Sequence, residues 1–189
     1  MPFFNRLFTF LGIKKREVNI LVVGLDNSGK TTVLNRFKSQ GDNTVNEVVP
    51  TVGFNVEKFK FGSLAITAFD MSGQGRYRNL WERYFKGVVG IIFVVDSTDT
   101  LRMVVAKDEL DMMLNHKDLE GNFRLPILFL ANKVDLEDAM SATKIGQLLG
   151  LDLLKNPCHI QSTNALTGEG LETGIQWLEQ QVLQNYSNK

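Results

Sequence analysis

Hydrophobic positions recur along the chain with two periods. Val18–Val23 is a short apolar, β-rich run that stops at Gly24 and reads as a buried strand. From Thr31 to about Ser39 the spacing turns helical, and a polar, turn-prone stretch, Gln40–Glu47, follows. Phe54–Phe61 sets Phe54, Val56, Lys58 and Lys60 against Asn55, Glu57, Phe59 and Phe61, which suits a partly exposed strand. Gly62-Ser63 is a turn signal, and Leu64–Phe69 makes the returning strand of an antiparallel hairpin. Further apolar runs stand at Val88–Val95, Ile127–Leu130 and His159–Ile160. Helical patterns separate them at Leu101–Leu114, Ser141–Leu149 and Leu171–Leu183. In the first of these, Leu101, Val104, Val105, Leu110, Met113 and Leu114 have the spacing of a core-facing helix. Strands alternating with helices predict an α/β fold, a mostly parallel sheet with helices on both faces.

Composition narrows the class. The 189 residues are 43% hydrophobic and 22% charged, enough for one globular domain and too apolar for intrinsic disorder. Twenty-one basic residues balance 21 acidic ones, which argues against a nucleic-acid partner. Cys158 stands alone, so no internal disulfide can form, and a reducing, cytoplasmic compartment is expected. No apolar run reaches the roughly 20 residues of a spanning helix. His116 and His159 are too isolated to suggest a metal site.

The neutral total hides an uneven start. Residues 1–16 carry Arg6, Lys14, Lys15 and Arg16 and no acid, so this stretch is +4 and the remainder −4. Phe3, Phe4, Leu7 and Phe8, continued by Leu11, form one apolar helical face. That pattern fits either a helix packed on the core or a membrane-surface helix whose phenylalanines enter the acyl boundary beside anionic headgroups. The expected organisation is an amphipathic helix over 1–16 and a second unit over 17–189.

Three motifs carry chemistry. Gly24-Leu25-Asp26-Asn27-Ser28-Gly29-Lys30-Thr31, followed by Thr32, matches G-x-x-x-x-G-K-[ST] between a strand and a helix. Backbone N–H groups and the helix N-terminus would point at phosphate oxygens, Lys30 would reach the β- and γ-phosphates, and the Thr31 hydroxyl would hold Mg²⁺. Asp70-Met71-Ser72-Gly73-Gln74 follows a strand: Asp70 can hold the metal through a water, the Gly73 N–H can approach the γ-phosphate, and Gln74 can orient an attacking water as the catalytic group. Asn132-Lys133-Val134-Asp135 follows another strand. Asp135 can accept the N1–H and 2-amino group of guanine, Asn132 can tie this loop to the phosphate loop, and the Lys133 stem can lie over the base.

The ordered set GLDNSGKT, PTVGF, DMSGQ, NKVD and STNA resembles the small GTPases of the Ras superfamily, from about Val18 to Trp177. GLDNSGKTT, Pro50-Thr51-Val52-Gly53-Phe54 and Leu80-Trp81-Glu82-Arg83-Tyr84-Phe85 are similar to the Arf/Arf-like branch. MSGQGRYRNLWERYF and LRMVVAKDELDMMLNH resemble its ciliary subfamily associated with Bardet–Biedl syndrome. The resemblance implies the small G-protein fold of P-loop NTPases, a mostly parallel six-stranded sheet with one antiparallel strand. It implies a GTP/GDP switch with Mg²⁺, monomeric in solution and reversibly membrane-associated at the cilium. Its expected partners are an exchange factor, a GTPase-activating protein and a coat or adaptor effector, here a BBSome subunit. Thr51 would close on Mg²⁺ and the γ-phosphate, and a second switch would run from about Asp70 to Arg83. Thr163-Asn164-Ala165 would contact the guanine from its far side, with the Ala165 N–H near its O6. Phe54, Phe69 and Tyr84 match an aromatic effector surface, although aromatics beside strand ends equally suit a core.

Three residues depart from the Arf pattern. Ser72 replaces the first glycine of D-x-G-G-Q, and Gly75 adds backbone freedom after Gln74. Pro2 follows Met1 where N-myristoylation needs glycine, so either membrane binding proceeds without an acyl group or this N-terminus is not the native one. Arg76 and Arg78 fall on the second switch, which leaves no arginine finger in cis and predicts slow intrinsic turnover. A GTP-dependent binding module with negligible hydrolysis, or an Arf-like switch at another endomembrane, would show the same motifs.

Overall fold

The computed structural model describes residues 15–38 and 49–187. Phe3, Phe4, Leu7 and Phe8 lie outside them, as does the Gln40–Glu47 stretch. Six strands make one sheet: β1 (Arg16–Val23), β2 (Phe54–Phe61), β3 (Leu64–Met71), β4 (Gly90–Asp96), β5 (Ile127–Asn132) and β6 (Cys158–Thr163). Their spatial order is β2-β3-β1-β4-β5-β6, and only the β2–β3 pair is antiparallel. The helices are α1 (Lys30–Lys38), α2 (Met103–Leu114), α3 (Ala142–Leu149) and α4 (Leu171–Ser187).

The central strands are apolar at nearly every position because both faces are covered. Odd-numbered positions, Leu21, Val23, Ile91, Phe93, Ile127 and Phe129, face one core with Met103, Leu110, Ile145 and Leu149 of α2 and α3. Even-numbered positions, Ile20, Val22, Ile92, Val94, Leu128 and Leu130, face another with Val33, Leu34, Ile175, Leu178 and Val182 of α1 and α4. The register Phe93↔Phe129 brings two buried rings to 5.7 Å.

Several elements differ from the pattern-based expectation. Strand β1 begins at Arg16, because its backbone pairs with β3 beyond the apolar run. Strand β3 extends to Met71, so Asp70 lies within the strand. Gly75–Tyr84 is a ten-residue 3-10 segment that hydrophobic periodicity did not mark; only Trp81 in it is buried. Helix α2 turns Met103, Ala106, Leu110 and Met113 inward. Leu101 and Val104, expected in the core, are 91% and 63% exposed. Met103, one position away from the expected apolar stripe, carries the burial instead. Cys158 is half-buried on the outer strand β6, with its thiol pushed up by burial. His159 stacks near Trp177 at 5.4 Å, and His116 meets the edge of Phe85 at 5.0 Å.

Candidate functional site

The carboxyl ends of β1, β3, β4, β5 and β6 open on one side of the sheet, where ligands of open α/β sheets bind. A cavity of about 320 Å³ lies there, lined by Asp26, Asn27, Gly29, Lys30, Thr31, Thr32, Val49, Pro50, Thr51, Ser72, Gly73, Gln74 and Lys133. The first two motifs thus share one wall, and Lys133 brings the third to it.

The loop from Gly24 to Gly29 needs both glycines. At φ +134°, Gly24 lies so close to the Val94 carbonyl that a Cβ there would overlap it. Gly29 stands at φ +95°, against the Asn132 amide. Lys30, at the start of α1, folds back and donates to the Gly24 and Leu25 carbonyls at 3.0 and 2.7 Å. Burial pulls its pKa down from 10.5 to about 8, against the raising pull of Asp70 and Asp26. The loop therefore holds a desolvated ammonium whose charge an added anion would stabilise.

Thr31, Thr51 and Asp70 converge across three elements. The Thr31 hydroxyl donates to Asp70 Oδ2 at 2.7 Å and lies 3.1 Å from the Thr51 hydroxyl, which itself stands 3.4 Å from Asp70 Oδ2. Burial pushes the Asp70 carboxyl above the usual range, opposed by the Thr31 bond and the Lys30 charge. Among the described residues, buried Asp70 Oδ1 has no hydrogen-bond partner, and neither has Ser28 Oγ. Two hydroxyls and a carboxylate with an orphaned oxygen are the hard donors that suit Mg²⁺.

Gly73 is buried so tightly on the Leu25–Asp26 peptide that a Cβ would overlap it. Gln74 is half-buried, and its Oε1 accepts from Arg76 Nε and Nη2 at 3.2 and 3.1 Å. Arg78, expected on a mobile segment, is held: Nε donates to the Gly73 carbonyl at 2.8 Å and Nη1 to Glu109 of α2 at 2.8 Å. Trp81 donates from Nε1 to the Ser72 carbonyl at 3.0 Å. Phe54 and Phe69 stand 4.8 and 4.9 Å from Tyr84. Phe69 and Tyr84 pack against the α2-side core while Phe54 remains 40% exposed, so the cluster is core at its base and surface at its rim.

Asn132, at the end of β5, donates from Nδ2 to the Ser28 carbonyl at 2.9 Å and so ties this loop to the phosphate loop. Its Oδ1 accepts the Ala165 N–H at 3.0 Å, which the resemblance had placed near the base. Asn164 Oδ1 accepts from the Leu166 and Thr167 amides and rigidifies its own loop. Asp135 is exposed beyond them. Sequence reasoning passed over Asp96, whose Oδ2 lies 2.6 Å from Lys133 Nζ, and Arg102, 2.9 Å from Asp26 Oδ1. A signal for Asp96 existed: it is a polar residue ending an apolar strand, as Asn132 is and Asp70 nearly is.

Comparison with known proteins agrees with this arrangement. Residues 4–182 match the ADP-ribosylation factor family. The chain is 56% identical to ADP-ribosylation factor-like protein 6 of Danio rerio over 96% of its own length and 97% of the relative's. It is 48% identical to the protein of that name from Caenorhabditis elegans, over 96% and 95%. The solved structure of the Arl6 BBS3 small GTPase from Trypanosoma brucei, with bound nucleotide analogue GppNp, superposes with a TM-score of 0.81 at 40% identity, covering 89% of this chain and 98% of that one. With this family match, these relatives and the small GTPase fold, the chain is a GTP hydrolase and belongs to the ADP-ribosylation factor family.

Proposed function

We propose that this chain is a GTP-loaded switch that draws a coat or cargo adaptor, a BBSome subunit, to a ciliary membrane. The observation that carries the switch is the approach of the Thr31 and Thr51 hydroxyls at 3.1 Å over Asp70. Thr31 belongs to the phosphate loop, whereas Thr51 lies on the segment entering β2, so one cluster couples nucleotide to an outer surface. Similarity to proteins named ADP-ribosylation factor-like protein 6 supports the ciliary assignment.

In this reading, loop amides and Lys30 neutralise the phosphates, and Gln74 turns the attacking water toward the γ-phosphate. Thr31 and Thr51, with Asp70 through a water, would hold Mg²⁺, which supplies charge stabilisation to the β- and γ-phosphate oxygens when bound. Loss of the γ-phosphate releases Thr51 and Gly73, and both switch segments relax. The Gln74 Oε1 is engaged by Arg76, and the described arginines near the phosphates are engaged by carboxylates or carbonyls. Intrinsic hydrolysis is therefore slow, and a partner's arginine accelerates it on the order of 10³–10⁵-fold. An exchange factor reloads GTP. The Phe3, Phe4, Leu7 and Phe8 face with its basic flank anchors the loaded form reversibly.

Three measurements test this. Single-turnover GTP hydrolysis, with and without the activating protein, should show slow turnover that the activator accelerates and Gln74→Leu blocks; no turnover in either case leaves a binding module only. Capture of a purified BBSome subunit should require GTP analogue rather than GDP, and equal capture in both states removes the switch. Liposome flotation with Phe3 and Phe4 made polar tests the membrane face by the same nucleotide comparison.

A further inference from the structure

Asp96 is the last residue of β4 and pairs in register with Asn132 at the end of β5. Its side chain is only 8% exposed, and both carboxylate oxygens are occupied. Oδ1 accepts the Thr98 N–H at 3.0 Å and the Thr98 hydroxyl at 2.7 Å, while Oδ2 takes the Lys133 ammonium at 2.6 Å. The strand ends are also tied together, because the Ser97 N–H donates to the Asn132 carbonyl at 2.9 Å. Lys133 leaves the backbone at φ +68°, a conformation that residues other than glycine rarely adopt. Its stem is therefore fixed at one end by the backbone and at the other by Asp96.

From this geometry we infer that Asp96 is a positioning residue for the guanine nucleotide, acting through Lys133. The inference rests on the assignment of the Asn132–Asp135 loop to the base. Lys133 lines the nucleotide cavity together with the phosphate loop and Thr51. A free lysine stem samples many rotamers and surrenders that freedom only when ligand binds, which weakens binding. Clamped by Asp96, the stem is held in one arrangement that presents its apolar flank to the base. Burial alone would raise the Asp96 carboxyl, but Lys133 and Thr98 hold it below the usual range, so the clamp stays charged through the physiological span. A purely structural role remains the competing account, since the Thr98 bonds close a turn after β4. Asp96→Asn separates the two. Its amide oxygen still accepts from Thr98, while its NH₂ cannot accept from an ammonium.

The test is release of fluorescent GDP from the full chain carrying Asp96→Asn, Lys133→Ala, or both. Asp96→Asn should release GDP on the order of tenfold faster, the size of a lost charged hydrogen bond, with unchanged far-ultraviolet circular dichroism. In the Lys133→Ala background the same substitution should add nothing. A wild-type release rate for Asp96→Asn overturns the inference, and so does an equal acceleration with Lys133 absent. If ADP displaces fluorescent GDP from the wild-type chain as well as GDP does, the base assignment fails instead.

Discussion

The Arg102 guanidinium lies 2.9 Å from the Asp26 carboxylate, joining the start of α2 to the phosphate loop across 76 positions of sequence. Asp26 lines the cavity proposed to take the phosphates, so its charge would oppose such a ligand unless it is compensated. Arg102 is itself secured by Asp99 and its pKa is raised, first by that hydrogen bond. Arg102→Ala should speed GTP release about two- to fivefold, since half-exposed pairs are worth roughly 1 kcal/mol or less. Rates at low and high salt check it: the difference between variant and wild type should shrink as salt rises.

Lys30 predicts a pH dependence. Burial pulls its pKa down to about 8 in the folded chain, from 10.5 as a free side chain. Between those values the unfolded chain binds more protons, so through Lys30 the folded protein gains stability as pH rises through that window. Nucleotide affinity runs the other way, because phosphate needs the charged ammonium. Titration calorimetry with GDP at pH 8.5, in two buffers of different ionisation enthalpy, should show proton uptake that is absent near pH 6.5.

Gly73→Ala places a methyl against the Leu25–Asp26 peptide, where no flexible side chain can yield. The segment after β3 must then move outward, carrying Gln74 with it. Single-turnover hydrolysis should fall at least tenfold, while GDP, which lacks the γ-phosphate, should bind nearly as in wild type.

Trp81 is 2% exposed and bonds to the Ser72 carbonyl, so it reports on the segment that follows Asp70. Replacing GDP by a GTP analogue should change tryptophan emission. Trp81→Phe should abolish that change, whereas Trp177→Phe, on α4, should preserve it.

Phe93 is fully buried against Phe129 between the two central strands. Phe93→Ala should cost about 3–5 kcal/mol by cavity formation, read as a lower Tm and urea midpoint with GDP saturating.

What was legible beforehand follows from how local each signal is. The strands ending at Val23, Asp96 and Asn132 were visible because burial on both faces forces continuous apolar runs. Gly24, Lys30, Thr31 and Asn132 stood out by residue type and fixed spacing, and the structure gathers them at one end of the sheet. The 3-10 segment Gly75–Tyr84 was hidden, since it buries a single large side chain and has no apolar stripe. Leu101 and Val104 misled for a related reason: helix α2 starts at Met103, and its phase is set by contact with the sheet. Arg102 was hidden because its partner Asp26 is far away in sequence, and the end of an apolar strand marked Asp96 without showing its partner Lys133. Such pairings exist only once the parallel register is formed.

Strands β1, β4 and β5 have another consequence, in time rather than in space. Their amides are locked between two cores, so exposing them to solvent requires the whole molecule to open. The loops leaving those strands carry no such burden. Amide hydrogen exchange should divide the protein into a chassis that exchanges over hours and a rim that exchanges in seconds. A nucleotide that comes and goes at the rim leaves the chassis undisturbed, and so the protein can cycle many times without risking its fold.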